Sequence, residues 1–445
     1  MEKIDILELH EDIRGDEVKA DLEGAYKSVY FNDTKDMAEA LDKVSPSFCL
    51  AKWFNVSIHI PTGRTQSCYH PPVHRIPMAE LEKNAHALHN TEHKKKQRLM
   101  MLKGERPPEC SFCWDIEDQG NVSDRPYRSF DVNQEGIIAE ALEHGHTGNP
   151  KPKYMEVNFN QACNFKCTYC SPHLSTEWHK EIRKHGAYKL PTGHHNDTSW
   201  MERDGMMPNN RPDNPYLEAF WEYFPECYPE LQTFRMTGGE PFMIRDHFKI
   251  LMHCVEKGYA KNIDIHYNTN GTQLPPQAIF DLWSYFKHVE IAFSIDDVGE
   301  PFEYQRHPAK WREVNQNLVK FKEMKTPNMD FQICSTVNIF NVFNWAKMAL
   351  WVAQFQPKFF YVNTCFDPDV FNIQTLPQQV KDIVTDRYNM LTDYQPSIRF
   401  MNAADRDSPE IRAERKRRIL QTDAYRKENF GDMFPLLNKV FQIYE

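Results

Sequence analysis

The 445-residue chain has no apolar run long enough for a membrane-spanning helix, and we expect no membrane partner. Its first residues, MEKIDILELHEDIRGDE, are acidic and lack the apolar core of a signal peptide, so we expect a cytoplasmic protein. The chain also lacks an excess of basic residues. Its formal net charge of −10 argues against a nucleic-acid binder that depends mainly on electrostatic attraction.

The remaining composition is that of an ordinary soluble protein, with 40% apolar and 26% charged residues. Its length is sufficient for two or three domains with a sizeable core. In a reducing cytoplasm, the 11 cysteines indicate metal ligands or core thiols rather than disulfides.

Three of the cysteines follow a short predicted strand in the segment EVNFNQACNFKCTYC. Val157 and Phe159 alternate with polar residues, which predicts the strand, and Cys163, Cys167 and Cys170 come next in a C-x3-C-x2-C spacing. Three thiolates this close in sequence can bind one four-iron cluster and leave its last iron open to a small molecule. The alternatives are three core thiols or a zinc site, although zinc motifs usually supply four ligands in two pairs.

At these residues the sequence resembles the radical S-adenosylmethionine (radical SAM) enzymes, and the aromatic Tyr169 before the third cysteine is also typical of that family. The resemblance implies a [4Fe–4S] cluster on Cys163, Cys167 and Cys170. It further implies that S-adenosylmethionine binds at the iron that has no protein ligand.

Four more cysteines form two pairs in the first 150 residues. The alternation of residues 54–60 predicts a strand, and the Pro-Thr-Gly turn after it predicts a hairpin with Cys49 and Cys68 at one end. Cys110 and Cys113 follow in a C-x2-C spacing and can complete a site with four ligands. On spacing alone, a zinc knuckle fits as well as a cluster.

The spacing C-x13-G-x4-C, from Cys49 through Gly63 to Cys68, resembles the start of the SPASM/twitch module for auxiliary clusters. The single C-x2-C pair that follows resembles the smaller, twitch version. This resemblance implies a second [4Fe–4S] cluster on Cys49, Cys68, Cys110 and Cys113. In most relatives the module follows the barrel, whereas here it precedes it.

From residue 231 onward, strand-like and helical segments alternate, which predicts a parallel sheet with helices outside. Together with the strand before Cys163 they make six units, an arrangement that resembles the partial (β/α)6, TIM-like barrel of radical SAM enzymes. We therefore expect an α/β fold with three parts. These parts are an N-terminal twitch-like domain over residues 1–150, the radical SAM barrel over residues 151–375 and a helical C-terminal extension over residues 376–445.

Polar motifs lie at the carboxyl ends of the predicted strands, where barrels of this kind carry their chemistry. Glycines there let the backbone approach a ligand closely. The resemblance implies that these motifs bind S-adenosylmethionine, although a turn and a structural ion pair are the simpler interpretations of Asn270 and Arg306. The implied contacts are Gly238, Gly239 and Glu240 to the amino group, Ser294 and Asp296 to the ribose, Asn270 facing the same pocket, Arg306 to the carboxylate, and the Tyr169 backbone and Asn338 at the adenine.

The remaining four cysteines are not predicted to bind a cluster. Cys365 ends the last strand and is the candidate catalytic residue, because some radical enzymes with auxiliary clusters use a cysteine to donate a hydrogen atom. Core packing is the alternative for Cys365 and the prediction for Cys227, Cys254 and Cys334.

Two basic runs, residues 93–98 and 412–418, are predicted to be solvated helix faces, and the pair His194–His195 is also predicted to be solvated. Docking of an acidic partner such as flavodoxin is the alternative for the first run. Binding of a partner or of nucleic acid is the alternative for the second run.

Together these features predict a radical SAM oxidoreductase or modifying enzyme. Side chains alone do not break a strong C–H bond, so a cofactor must supply a radical and the protein must position it. Cleavage of S-adenosylmethionine by one electron gives a 5′-deoxyadenosyl radical, which takes a hydrogen atom from the substrate. The expected electron donor is a flavodoxin- or ferredoxin-type protein.

A peptide or amino-acid-type substrate, which would be oxidised, epimerised or crosslinked, is favoured because SPASM/twitch relatives often act on peptides. One alternative is a radical SAM enzyme for a nucleotide or another small molecule. The other is a non-catalytic zinc or iron–sulfur scaffold.

Overall fold

The computed structural model describes residues 24–188 and 197–444, so the pair His194–His195 lies outside the described residues. The chain divides into two compact units, and the predicted division into three parts stays a prediction. The first unit comprises the residues up to Phe159 with Asn209–Arg235 and Asn262–Asp264, and the second comprises Asn160–Pro208, Met236–Lys261 and Ile265–Glu445.

The first unit contains four strands in the order β3-β2-β1-β4. β1 and β2 are antiparallel with Ser57 opposite Gln66, which confirms the predicted hairpin. β1 also pairs in parallel with β4, with Ile58 opposite Val157, a contact that the alternation did not predict. The strands are β1 (Asn55–His59), β2 (Arg64–Gln66), β3 (His74–Arg75) and β4 (Tyr154–Asn158).

Gly63, in the turn between β1 and β2, has a left-handed backbone with φ of 60°. A β-carbon at this position would lie 2.2 Å from the ring of Tyr216, whose hydroxyl donates a hydrogen bond to the carbonyl of Ile76 at 3.1 Å. Glycine is therefore required both by the backbone and by the neighbouring ring. It fixes the hairpin that leads into Cys68.

The second unit contains strands that are neighbours in chain order. β7, β8 and β9 are parallel, and helices separate the successive strands as predicted. This arrangement confirms an α/β fold with a parallel sheet. The strands are β5 (Thr233–Thr237), β6 (Asp264–Thr269), β7 (His288–Ser294), β8 (Met329–Val337) and β9 (Phe359–Thr364), and the boundary between the units cuts β5 and β6.

Helices provide most of the remaining regular structure, and in the part of the chain described here none has the length and apolar character needed to span a membrane. Helices α1–α7 and α10 belong to the first unit and the others to the second. In chain order they are α1 (Thr34–Val44), α2 (Ala51–Phe54), α3 (Met78–Leu81), α4 (Glu92–Leu102), α5 (Ser111–Glu117), α6 (Asp124–Phe130), α7 (Ile137–His144), α8 (Thr176–His185), α9 (Ser199–Arg203), α10 (Pro215–Cys227), α11 (Asp246–Glu256), α12 (Gln277–Trp283), α13 (Glu300–Gln305), α14 (Trp311–Met324), α15 (Trp345–Phe355), α16 (Gln378–Tyr388), α17 (Gln395–Asn402), α18 (Pro409–Arg426), α19 (Phe430–Met433) and α20 (Pro435–Phe441).

The basic run on α4 is not solvated as a whole, and the prediction was wrong at Lys94 and Arg98, whereas His93 and Lys96 are exposed. Lys94 and Arg98 are completely buried. The Nζ of Lys94 donates to the carbonyl of Asn55 at 3.1 Å, and the Nε of Arg98 donates to the carbonyl of Lys52 at 2.8 Å. Burial lowers the pKa of Lys94 well below its usual range and that of Arg98 to about 9. Backbone carbonyls accept these hydrogen bonds, and a charge pattern does not reveal such partners.

The two faces of β8 differ in exposure. Phe331 and Ile333 are buried, whereas the alternating residues Gln332, Cys334 and Thr336 are partly exposed. Parallel strands covered on both faces are usually apolar throughout, so this alternation shows that one face of the sheet is not packed in the same way.

The strand register extends the partly exposed face over β7, β8 and β9. Cys334 lies opposite Ser294 on one side and Tyr361 on the other, and Tyr361 is 50% exposed. Cys334 is therefore on the partly exposed face, and the prediction that it packs in the core was wrong. Cys227 and Cys254 are buried core thiols as predicted.

The predicted helical C-terminal region is present as α16–α20. Val384 and Ile419 from these helices pack in the same apolar cluster as Phe371, which follows β9. The basic run on α18 is not solvated as a whole, because Arg415 and Arg418 are 1% and 2% exposed. The prediction of a solvated run was wrong at these two positions.

Candidate active site

The loop that carries the three cysteines is anchored by hydrogen bonds to the start of α8. The N–H of Cys163 donates to the hydroxyl of Thr176 at 3.2 Å, and this hydroxyl donates back to the Cys163 carbonyl at 3.1 Å. The indole N–H of Trp178 donates to the Cys167 carbonyl at 3.1 Å. These contacts hold the loop in one conformation before any metal is considered.

The three thiols lie close enough to influence one another. Burial raises the pKa of Cys163 to about 12, and the neighbouring Cys167 adds to this effect. Burial also raises the pKa of Cys170, again with contributions from Cys167 and Cys163. Sulfur ligands must be deprotonated to bind metal, so a cation among these thiols would offset the cost of burying their charge.

In residues 24–188 and 197–444, no three His, Cys, Asp or Glu side chains surround a site for a single metal ion. The thiolates of a four-iron cluster bind different irons and therefore stand farther apart than the ligands of one ion. The mutual influence of Cys163, Cys167 and Cys170 fits that wider donor set.

The Gly-Gly-Glu turn after β5 is attached directly to the start of the cysteine loop. The N–H of Gly239 donates to the carbonyl of Asn160 at 3.2 Å, and the N–H of Glu240 donates to the carbonyl of Ala162 at 2.7 Å. A β-carbon at Gly239 would lie 2.2 Å from the Ala162 oxygen. Only glycine permits this close approach of two backbones.

The side chain of Glu240 is completely buried and joins two strand ends. Its carboxylate accepts hydrogen bonds from the hydroxyl of Thr269 at 2.8 Å and from the N–H groups of Asn270 at 2.7 Å and Phe242 at 3.1 Å. Burial raises the pKa of Glu240 to about 7, and these hydrogen bonds oppose the shift.

Asn270 lies beside the cysteine loop, and its contact with S-adenosylmethionine stays a prediction. Its amide nitrogen donates to Oδ1 of Asn164 at 2.9 Å and lies 3.9 Å from the sulfur of Cys163. Asn164 was not singled out from the sequence, although its position between two cysteines was an available signal.

Asp296, Arg306 and Tyr169 form one buried polar cluster. Oδ2 of Asp296 accepts from Nε of Arg306 at 2.8 Å and from the hydroxyl of Tyr169 at 2.5 Å, and Oδ1 accepts from the N–H of Thr336 at 2.8 Å. Nη2 of Arg306 donates to the Tyr169 hydroxyl at 2.6 Å, and Nη1 lies 3.9 Å from the sulfur of Cys167. The structural ion pair considered for Arg306 is therefore present.

Ser294 and Asn338 have different surroundings. Ser294 ends β7 on the partly exposed face. Asn338 is completely buried, and its amide nitrogen donates to Gln305 and to the carbonyl of Thr336, both at 3.0 Å. Its Oδ1 accepts from the N–H of Phe340 at 2.8 Å. The chain itself thus satisfies the polar groups of Asn338.

Cys365, the candidate catalytic residue, is 3% exposed. Its thiol donates a hydrogen bond to the carbonyl of Asp367 at 3.4 Å, and burial raises its pKa to about 12. It packs in the same apolar cluster as Phe371. These contacts describe a core thiol, and its catalytic role stays a prediction.

Residues 157–349 match the family model of the Radical SAM superfamily. Residues 157–349 are called the radical SAM domain here, after the family model that they match. This domain family implies a [4Fe–4S] cluster and S-adenosylmethionine, and the donor set of the cysteine loop fits such a cluster.

The chain is similar to several proteins of known name or structure. A GTP 3′,8-cyclase of Campylobacter lari is 26% identical over 126 residues, which cover 28% of this chain and 29% of the cyclase. The structure of SuiB of Streptococcus suis bound to S-adenosylmethionine is 13% identical, covering 67% of this chain and 64% of SuiB with a TM-score of 0.37. The structure of anSMEcpe with bound AdoMet is 19% identical, covering 57% and 62% of the two chains, with a TM-score of 0.37. The chain thus spans 29% of the length of the GTP 3′,8-cyclase.

Outside the radical SAM domain, the four N-terminal cysteines line one pocket with about 410 Å³ of atom-free space, part of which is open to solvent. Cys49 precedes α2, Cys68 follows β2, and Cys110 and Cys113 lie at the start of α5. Four sulfur atoms in one pocket form a donor set of the kind that binds a [4Fe–4S] cluster, whereas the described residues include no group placed to hold a single metal ion such as zinc.

A buried cation lies beside these sulfurs. Lys52 is 2% exposed, forms an ion pair with Glu109 and donates a hydrogen bond to Cys110. Burial raises the pKa of Cys110 to about 11, and Lys52 opposes that shift. The other oxygen of Glu109 lies 2.5 Å from Nε2 of His93. Lys52 is therefore a positive group of this pocket that favours the thiolate form of Cys110, and Arg125 and Arg128 also line the pocket.

Proposed function

We propose that the protein is a radical SAM enzyme that cleaves S-adenosylmethionine reductively and takes a hydrogen atom from a substrate. The observation that supports this proposal is the attachment of the three-cysteine loop to the turn of Gly239 and Glu240, within a radical SAM domain. The strands of this domain are proposed to curve into the family's partial barrel, whose chemistry lies at the carboxyl ends of its strands.

When bound, the cluster and S-adenosylmethionine supply a 5′-deoxyadenosyl radical, and the side chains of the site hold and orient them. Cys163, Cys167 and Cys170 are the proposed iron ligands. The turn of Gly238–Glu240 is proposed to receive the amino group of S-adenosylmethionine, and Ser294 to contact its ribose.

The buried cluster of Asp296, Arg306 and Tyr169 is proposed to keep the cysteine loop in register with the end of β7. Asp296 is already bonded to three donors, so in this proposal it contributes mainly by fixing Arg306 and Tyr169. Fixed groups around a cofactor reduce the reorganisation that the reaction requires.

A second [4Fe–4S] cluster on Cys49, Cys68, Cys110 and Cys113 is the second part of the proposal. Their convergence on one pocket supports it, as does the adjacent cation Lys52. A flavodoxin- or ferredoxin-type protein is the proposed electron donor. On the basic run of α4, His93 and Lys96 are exposed whereas Lys94 and Arg98 are buried, so docking of such a protein there would rest on the exposed pair.

The favoured substrate is a peptide or an amino-acid-type molecule. The resemblance of the N-terminal cysteine spacing to the SPASM/twitch module supports this choice. The partly exposed face beside Ser294 also offers an amide at Gln332 and aromatic rings at Phe359 and Tyr361, groups that suit a polar ligand with apolar parts. A nucleotide is the second candidate, because a curated protein that is 26% identical to this chain over 126 residues is named a GTP 3′,8-cyclase.

The test of the cofactor proposal compares three proteins after anaerobic reconstitution with iron and sulfide. The intact protein should contain about eight irons and release 5′-deoxyadenosine when S-adenosylmethionine and dithionite are added. The variant Cys163→Ala/Cys167→Ala/Cys170→Ala should contain about four irons and release none. The matched control is Cys227→Ala/Cys254→Ala, which changes two buried thiols outside both cysteine sets and should behave like the intact protein.

Release of 5′-deoxyadenosine by the triple variant would contradict the proposal. Zinc without sulfide in the intact protein would favour the alternative of a non-catalytic scaffold. For the substrate, the rate of 5′-deoxyadenosine release should rise above background with a peptide mixture. A rise with GTP and none with peptides would favour the nucleotide alternative.

A further inference from the structure

Three buried arginines lie on the C-terminal helix α18, and they differ in how their guanidinium groups are satisfied. Arg415, Arg418 and Arg426 are 1%, 2% and 7% exposed. A buried guanidinium is costly unless acceptors surround its five N–H groups. The three residues therefore serve as internal comparisons for one another.

Arg415 and Arg426 are tied to the protein by several acceptors. Arg415 donates to the carbonyl of Val370 at 3.1 Å and to the carbonyl and hydroxyl of Thr375 at 2.8 and 2.6 Å. Arg426 reaches both oxygens of Glu181 at 3.2 Å and forms a buried ion pair with it. Both arginines thus have clear structural partners, although Nη1 of each has no hydrogen-bond partner among the described residues.

Arg418 lacks an equivalent set of partners. Its only hydrogen bond to a described residue runs from Nη2 to the carbonyl of Thr168, at 3.5 Å, which is at the outer limit for such a bond. Its guanidinium carbon lies 4.9 Å from the ring centre of Phe371. No carboxylate among residues 24–188 and 197–444 forms an ion pair with it.

The residue that Arg418 touches belongs to the cysteine loop and also has an unsatisfied group. Thr168 stands between Cys167 and Tyr169, and its side chain is 4% exposed. Its hydroxyl oxygen is buried and has no hydrogen-bond partner. Two independent polar groups beside the cluster ligands therefore have unfilled hydrogen-bonding capacity.

The group that was expected to meet the carboxylate of S-adenosylmethionine is already occupied. Arg306 donates to Asp296 and to the hydroxyl of Tyr169. Without displacing these bonds, a carboxylate could reach only Nη1 of Arg306, which lies 3.9 Å from the sulfur of Cys167. Arg418 offers a guanidinium with fewer bonds to the protein.

We propose that Arg418, with Thr168, forms a binding site for an anionic group, a carboxylate or a phosphate, at the rim of the radical SAM site. A planar guanidinium matches the two oxygens of such a group, and the hydroxyl of Thr168 adds a further donor. The anion is supplied either by S-adenosylmethionine itself or by the substrate. This inference rests on the proposed function, because it assumes that a ligand binds over the cysteine loop.

The first test compares the thermal stability of ligand-free Arg418→Met and Arg415→Met. Removal of an unpaired buried charge should leave the midpoint of Arg418→Met at or above that of the intact protein. Arg415→Met, the matched control on the same helix, should be less stable because it loses three hydrogen bonds. An Arg418→Met protein that is as unstable as Arg415→Met would mean a structural role and would overturn the proposal.

The second test measures binding to the anaerobically reconstituted protein by equilibrium dialysis. If the anion is the carboxylate of S-adenosylmethionine, Arg418→Met should weaken its binding roughly tenfold to a hundredfold. Binding of the decarboxylated analogue should not change. Arg418→Lys should recover part of the loss, since it restores the charge without the planar fork.

If the anion belongs to the substrate, Arg418→Met should bind S-adenosylmethionine as tightly as the intact protein. Inorganic phosphate should then raise the melting temperature of the intact, S-adenosylmethionine-loaded protein and not that of Arg418→Met. Unchanged binding together with an identical phosphate response in both proteins would overturn the proposal. Failure of the proposed function is a separate result, because it appears in the intact protein as absent cluster iron or absent 5′-deoxyadenosine.

Discussion

The Nε of Arg306 lies 2.8 Å from Oδ2 of Asp296, and both side chains are buried. The hydroxyl of Tyr169 bonds to the same Asp296 oxygen and to Arg306. These bonds join three parts of the chain. Tyr169 belongs to the cysteine loop, Asp296 lies two positions after β7, and Arg306 lies at the end of α13. Breaking these bonds should affect both stability and cofactor binding.

Asp296→Ala should lower the free energy of unfolding by about 3 kcal/mol or more, because it leaves Arg306 buried without its counterion. Asp296→Asn should be less damaging, since it keeps an acceptor oxygen. Urea unfolding of the metal-free protein provides the measurement. Tyr169→Phe serves as the control, because it removes two hydrogen bonds and leaves the charges of Asp296 and Arg306 paired. Equal stability of Asp296→Ala and the intact protein would contradict this account.

Gly239→Ala should prevent assembly of the first cluster. The added β-carbon would lie 2.2 Å from the Ala162 oxygen, so the start of the cysteine loop must move. Iron and sulfide content after reconstitution should fall from about eight to about four atoms each. Gly24→Ala is the matched control, because no heavy atom lies within 4 Å of its new methyl group. Full iron content in Gly239→Ala would show that the loop tolerates the displacement.

Lys52→Met should destabilise the first unit, because it leaves Glu109 without its buried partner. The loss should be about 3 kcal/mol, and the double variant Lys52→Met/Glu109→Gln should recover much of it. Lys153→Met is the matched control, since Lys153 is 3% exposed and pairs with Glu140 at 3.0 Å. If Lys52 also supports the cysteine pocket, iron content should fall in Lys52→Met and stay unchanged in the control. If the double variant recovers its stability fully and its iron content not at all, Lys52 has two separate roles, pairing with Glu109 and supporting the cysteine pocket.

The stability of the metal-free protein should depend on pH through Asp297. Burial raises its pKa from 3.8 to about 7, so the folded protein holds this proton more tightly than the unfolded chain. The resulting stabilisation is complete below about pH 4 and is lost as the pH rises to about 7.

Asp297→Asn stays neutral at every pH and keeps all the histidines. Comparison with this variant therefore separates the contribution of Asp297 to the pH dependence of stability from that of the histidines. Relative to that variant, the intact protein should lose about 3 kcal/mol between pH 4 and pH 7. Urea unfolding at a series of pH values would measure the difference. A constant difference across this range would mean that Asp297 keeps an ordinary pKa in the folded protein.

Much of the fold could be predicted because the strands of the second unit have clear signals. The alternation of β8 and the helices that separate β6, β7 and β8 follow directly from hydrophobic periodicity. The spacing of Cys163, Cys167 and Cys170 identified the loop, and the hairpin signal at Gly63 identified the turn before Cys68. These are local patterns, and local patterns are what a single sequence records.

The errors arose where the partner of a residue is distant in sequence. Lys94 and Arg418 were expected to be solvated because charged residues usually are, yet each is buried against backbone carbonyls of remote segments. Cys334 was expected in the core because the alternation of β8 does not say which face is covered. The bond of Arg306 to Asp296 spans a turn and a helix. Residue spacing alone therefore did not show whether Arg306 forms an ion pair or contacts a ligand.

The alternating faces of β7, β8 and β9 allow specificity to change independently of stability. Gln332, Cys334 and Tyr361 are on one face, and the apolar side chains that support the sheet are on the other. Substitutions at these three positions would reshape the proposed substrate surface while the supporting core stays intact. A library confined to them would therefore be a direct way to evolve a new substrate preference on an unchanged scaffold.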